Sequence, residues 1–199
     1  MSRFVLGRRC HLHLDVHSSI ALAAGYCVEV KRGVDVVPVQ RSALGRVVWL
    51  HDGAERANKE IWSVDDVSVS TSKVDVAIAL SVTHEIRRDV ELYVRHNLPE
   101  VGRILFMSAL PAPGPTSVGD GFHAWMLAEQ VCSLIREKRS PQERIGSLHV
   151  FAAAPNGLMF FLGRMALGLG RLKTYEFDFE KNEAGNYRPA LTLAPEEFR

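Results

Sequence analysis

The side chains best suited to chemistry lie in short stretches rich in hydroxyl, amide and imidazole groups. Ser81-Val82-Thr83-His84-Glu85 closes one apolar run and opens an amphipathic one. Thr83 Oγ1 and the His84 ring there can reach a phosphate or a base edge, and capping by Thr83 with a surface His84 is the structural alternative. Between Ser108 and Ser117, three prolines and a glycine make a stiff, wide loop that suits a pocket wall or a plain connection. Pro155-Asn156 has the residue types of a helix start, where Asn156 and the free N–H groups can hold an anion or a base edge. Gln40 and Arg41 offer an amide and a planar donor fork at the end of an apolar run. Trp49 and Tyr26 offer faces on which a base can stack, although aromatics inside apolar runs are more often core. A different chemistry is suggested by His11, His13, Asp15 and His17, which fall on one face of an extended segment. His11 and His13 can open a metal site, with further ligands from His84, His149 or Asp120, and the activity would then be metal-dependent phosphohydrolysis. Otherwise these four form the polar side of a half-buried strand. No G-x-S-x-G, G-x-G-x-x-G or Walker A motif is present, which argues against a serine hydrolase and against conventional dinucleotide or ATP sites. No cofactor is expected.

These groups must be positioned by the elements around them. LHVFAA, then Pro155-Asn156-Gly157, then a helix apolar on most sides (Leu158, Leu162, Met165, Leu169 with Met159, Phe160 and Phe161), then alternating LKTYEFDF, reads as a βαβ crossover. VDVAIALSV and RILFMSA are near-continuous apolar runs of the kind buried on both faces of a parallel sheet. Ile86, Val90, Tyr93/Val94 and Leu98 mark a helical stripe after the first, and Phe122 to Lys138 an amphipathic helix after the second. The expected fold is α/β: a mainly parallel central sheet containing 75–82, 103–108, 147–152 and 172–179, covered by helices on both faces. YRPALTLA is expected as an antiparallel C-terminal edge. At the N-terminus, CHLHLDV reads as a strand and Ser18 to Ala24 as a short helix ended or interrupted by Gly25. CVEV and VDVVPV are expected to pair as a hairpin around 31–33, with Pro38 on an edge, followed by a possible strand at RVVWL. Residues 51–73 read as a polar, irregular excursion. In such a sheet ligands bind beyond the carboxyl ends of the strands, so the loops at 81–84, 108–117 and 153–156 are expected to converge.

Composition sets the outer bounds. At 199 residues, 47% hydrophobic, 24% charged and net +1, the chain reads as one globular domain over 1–199, without the basic excess that long nucleic acid requires. Cys10, Cys27 and Cys132 lack metal spacing and read as thiols in a reducing compartment. No run reaches the length of a membrane span, and MSRFVLGRRC lacks the apolar core of a signal peptide, so a cytoplasmic protein is expected.

HSSIALAAGY, VVPVQR and VVWL, then VDVAIALSVTHEI and DVELYV, then LHVFAAAPNGLMFFLGR, KTYEFDFE and YRPALTL occur in order across about residues 11–193. Together they resemble the SAVED domain, the ligand-sensing module of bacterial anti-phage signalling (CBASS), which implies a Rossmann-like fold similar to the CARF sensors of CRISPR defence. The resemblance implies a non-catalytic sensor that binds a cyclic di- or trinucleotide and passes the signal to an attached or partner effector. It also implies self-association or a partner sensor subunit, since family members usually carry two such halves and this chain has room for one, as a compact or partial form of a larger protein. The metal alternative would then act on the cyclic messenger itself, and a ligand-free interaction subunit is the third reading.

Overall fold

The computed structural model describes residues 8–28, 34–42, 45–52, 61–180 and 185–195. In chain order the elements are β1 (Arg8–His13), α1 (Ser18–Cys27), β2 (Val34–Ser42), β3 (Gly45–Val48), β4 (Trp62–Ser68), β5 (Asp75–Ser81) and α2 (Arg87–Asn97). They continue with β6 (Val101–Ala109), α3 (Gly121–Lys138), β7 (Leu148–Ala153), α4 (Asn156–Met165), β8 (Leu172–Phe177) and β9 (Tyr187–Leu193).

Six strands form the main sheet in the order β4-β6-β5-β7-β8-β9. The inner four, β6, β5, β7 and β8, run parallel, as the expected segments at 75–82, 103–108, 147–152 and 172–179 require. Both edges are antiparallel: β9 on β8 and β4 on β6. Alternation along β5 sends Val76, Ile78 and Leu80 to one face and Ala77 and Ala79 to the other, and each face has its own core. The first core is closed by α1, α3 and α4 and the second by α2 through Val90, Tyr93 and Val94, so helices cover both faces.

The edge strand β4 corrects the expectation of an irregular 51–73, of which 53–60 lie outside the described residues. Its sequence WSVDDVS hides a strand because an edge strand is only partly covered, so consecutive residues on its two faces can both be polar. Trp62 is buried and donates its indole N–H to Leu127 O at 3.1 Å, while Asp65 and Asp66 are exposed.

The N-terminal hairpin also differs. Of CVEV, Cys27 ends α1 and Val28 is its C-cap residue, so neither belongs to a hairpin with VDVVPV, and residues 29–33 lie outside the described segments. Instead β2 is the middle of a separate three-stranded sheet, parallel to β1 and antiparallel to β3. Pro38 therefore sits in a central strand, not on an edge. Trp49 N donates to Pro38 O at 2.9 Å, and proline cannot return that bond, so the β2–β3 ladder ends where the missing N–H would be needed.

Gly25 does not end α1. A Cβ there would lie 1.9 Å from Phe160 O, and one on Gly163 would lie 2.0 Å from Leu22 O. The two glycines face each other's helices and let the α1 and α4 backbones cross in near contact. After α4 a 3-10 turn at Ala166–Leu169 leads to Gly170 at φ 86°, where the chain turns into β8. Buried Arg139 closes the α3–β7 connection by donating to Leu169 O at 2.8 Å, to Gly146 O at 3.1 Å and to Glu143 O.

Candidate functional site

At the carboxyl ends of the parallel strands the expected loops are knitted together by backbone hydrogen bonds. Val82 N and Thr83 N both donate to Ala153 O, at 3.0 and 2.8 Å, and Gly114 N donates to Val82 O at 2.9 Å. The β5, β6 and β7 loops thus form one rigid rim. Beside it a cleft of about 240 Å³ opens, with Thr83, His84 and Ile86 from the β5–α2 loop and Ala152–Ala154 from the end of β7. Ser18, Asp89, Glu176, Phe177, Phe179 and Tyr187 complete its lining. Thr83 Oγ1 and His84 Nδ1 lie 3.2 Å apart, which orients the imidazole at the rim.

At the rim lies an exposed carboxylate, Glu85, to which the reading of the sequence gives no role. Glu85 Oε1 accepts from Ser81 Oγ at 2.7 Å and from the Ile86 and Arg87 N–H groups at 3.0 Å each, and Oε2 accepts from Ser108 Oγ at 3.2 Å. Burial opposes the charge on Glu85, but these hydrogen bonds outweigh it and hold the carboxyl below its ordinary range. Ser81 and Ser108 are therefore brought together, though as ligands of Glu85. The N-cap position of α2 is Ile86, so neither Thr83 nor its hydroxyl caps this helix.

The same arrangement recurs at the other helix starts. Glu176 accepts from Ser19 N at 2.6 Å and from Ser18 Oγ at 3.1 Å, covering the first turn of α1. Asp120 Oδ1 accepts from His123 N at 2.8 Å at the start of α3. Gln40 Oε1 accepts from Gly157 N at 2.9 Å at the start of α4. Side-chain oxygens of the chain occupy N–H groups that the sequence reading reserves for an anion.

The remaining candidates gather around α4 or stand apart. Asn156 spends its amide on Leu14 O (2.8 Å) and Val16 O (2.7 Å), fixing the β1–α1 connection, and Pro155 is the N-cap residue of α4. Trp49 is only 8% exposed and packs where a Cβ on Gly157 would sit, 2.5 Å from its ring, so it belongs to the core together with Tyr26. Arg41 is exposed, in register with Arg46. Ser117 Oγ donates to Ala112 O at 2.9 Å, within its own loop.

His11 and His13 lie exposed on β1, and Asp15 pairs with Arg46 at 2.5 Å. Neither histidine belongs to a group of three donors among the described residues; the one such group is Asp75, Glu100 and His149, at the amino-terminal ends of the strands. There buried His149 meets Tyr175 OH through Nδ1 at 2.7 Å and Asp75 Oδ2 through Nε2 at 3.0 Å. Lys173 Nζ stands 3.8 Å from both Asp75 and Glu100, so an ammonium already supplies the positive charge. Burial lowers the His149 pKa, overriding the pull of Asp75.

Reasoning from the sequence missed Glu176 and the aromatic residues Phe177 and Phe179. The available signal was LKTYEFDF, whose aromatic face continues past the end of its strand at Phe177.

The chain is thus an α/β domain with a separate N-terminal three-stranded sheet and a small cleft at its strand ends. A family model described as "SMODS-associated and fused to various effectors sensor domain", SAVED, matches residues 5–193, and the chain belongs to that family. CD-NTase-associated protein 4 of Enterobacter hormaechei subsp. hoffmannii (strain UCI 50) is 35% identical over 186 residues, which are 94% of this chain and 36% of that protein. The chain thus spans about a third of that relative's length. Among solved structures, the Acinetobacter baumannii Cap4 SAVED/CARF-domain containing receptor with the cyclic trinucleotide 3'3'3'-cAAA matches with a TM-score of 0.73 at 16% identity, over 94% of this chain and 39% of that one. The Moraxella osloensis Cap4 receptor matches with a TM-score of 0.59 at 16% identity, over 94% and 37%. These two likenesses establish the SAVED/CARF fold. No helix among the described residues is long and apolar enough to cross a membrane.

Proposed function

We propose that this chain senses a cyclic oligonucleotide, a cyclic trinucleotide foremost, and binds it without consuming it, as the signal-receiving part of an anti-phage defence system. The observation that carries the reading is the cleft at the carboxyl ends of β5, β7 and β8, in a member of a sensor family whose fold is shared with a receptor solved with a cyclic trinucleotide. Parallel α/β sheets place their ligands at this edge. Thr83 and His84 are the polar groups we assign to ligand contact, with Ser81 and Ser108 holding the rim through Glu85. Calorimetry against a panel of cyclic di- and trinucleotides tests the binding, with saturable heat expected for at least one trinucleotide. Chromatography of the recovered ligand should return the intact ring. Linear products would replace the sensor by a hydrolase, and heat from no member of the panel would remove the proposal.

A further inference from the structure

The strand-end cleft has an unusual chemistry for a site that would hold phosphate. Among the described residues that line it there is no lysine or arginine, and there are two carboxylates, Asp89 and Glu176. A phosphate placed there would meet like charge, and the α1 and α2 amides that could have received it are already bonded to Glu176 and Glu85. At the mouth stands Phe179, 81% exposed, a large apolar ring that nothing in the folding of the domain requires to be in water. It is held edge-to-face on Phe177 (centroids 5.1 Å, interplanar 64°), and Phe177 on Tyr187 (5.3 Å, 84°). Tyr187 is buried in the core beneath α2, so the exposed ring is braced through an aromatic chain that ends in the core.

We infer that the cleft is a nucleobase pocket in which Phe179 is the stacking platform, the ligand's phosphates remaining outside it. The inference rests on the sensor reading above and adds which part of the ligand enters. Asp89 accepts one bond from Gly185 N and Glu176 accepts from Ser18 and Ser19, and a carboxylate with about four acceptor sites keeps capacity beyond these. The lining therefore favours a base that donates through an exocyclic amino group over uracil, whose carbonyls would face carboxylates. Base–aromatic stacking needs only a π-face, which makes Phe179 a determinant of affinity and the two acids determinants of base choice.

The test uses 3'3'3'-cAAA with the unchanged chain, Phe179→Ala and Phe179→Trp. Because Phe179 is exposed, the alanine variant should melt with the unchanged chain, and its affinity should fall about tenfold or more, by loss of one stacked base. Phe179→Trp should bind at least as well as the unchanged chain. Equal affinity of Phe179→Ala and the unchanged chain overturns the stacking inference while leaving the sensor reading intact; no binding by the unchanged chain of 3'3'3'-cAAA or of any other member of the cyclic di- and trinucleotide panel overturns both. A second arm titrates adenosine, uridine and inorganic phosphate at millimolar concentration and follows the Phe179 ring and Thr83 amide resonances. Adenosine should move them most; a response to inorganic phosphate and none to adenosine would show that the cleft is an anion site.

Discussion

At the scale of single residues, the chain answers its own buried needs before it offers anything to a ligand. Glu85, Glu176, Asp120 and Gln40 each place an oxygen on the first-turn amides of a helix, which removes the unsatisfied donors that a helix start otherwise presents. The same economy governs the opposite end of the sheet, where His149 is fully buried between Tyr175 and Asp75, with Glu100 and Lys173 alongside. Its folded pKa lies below the ordinary value because burial disfavours the imidazolium. The sign follows directly. As pH falls past about 6.5 the unfolded chain takes up this proton before the folded one does, so stability drops toward acid, with a slope of at most about 1.4 kcal/mol per pH unit from this one site. Urea midpoints between pH 7.5 and 5.5 should decrease for the unchanged chain and decrease less steeply for His149→Gln, which removes the titrating group. Parallel slopes would show that His149 is not the group responsible.

At the scale of elements, the parallel core was legible because burial on both faces writes itself as an unbroken apolar run, as in VDVAIALSV and RILFMSA. The α2 stripe and the β7–α4–β8 crossover were legible for the same reason: their periods match their environments. What escaped was pairing that depends on a distant partner. Strand β4 looked like loop because only its edge position makes Asp65 and Asp66 acceptable, and β2 found β1 instead of CVEV because no local pattern states who lies alongside. The candidate site was legible as a set of loops, since strand ends define it, but Glu85 gains its bridging role from Ser108 on β6, and Phe179 from ring contacts with Phe177 that no strand period states beyond the strand's end. Gly25 shows how local rules can point the wrong way. Helix propensity alone says that Gly25→Ala should stabilise α1 by up to about 1 kcal/mol. The 1.9 Å separation from Phe160 O says that the added methyl would force α1 and α4 apart, at a cost near the upper end of overpacking, about 3 kcal/mol. Packing exceeds propensity, so the urea midpoint of Gly25→Ala should fall; a rise would mean that the helices can separate freely.

At the scale of the whole molecule, the question is whether one cleft can hold a ring of three nucleotides. Its volume, about 240 Å³, is below the roughly 300–1,000 Å³ of pockets that enclose even a drug-sized ligand. On the nucleobase reading the cleft takes one base; a cyclic trinucleotide carries three, and the remaining two, with the phosphates, would lie against solvent above the rim. A second wall would bury them, and either another copy of this chain or, where the domain is continued as in its much longer relative, another part of the same protein can supply it. The near-zero net charge places no strong repulsion between copies, and an exposed aromatic such as Phe179 gains from being covered. For this chain by itself, ligand should therefore drive association, which would also give a sensor its output by bringing effectors together. Light scattering with and without saturating 3'3'3'-cAAA, at protein concentrations above the dissociation constant, should show a mass increase to at least the dimer. A monomer in both states, with one ligand per chain fully enclosed in a crystal, would show that the domain closes over its ligand alone.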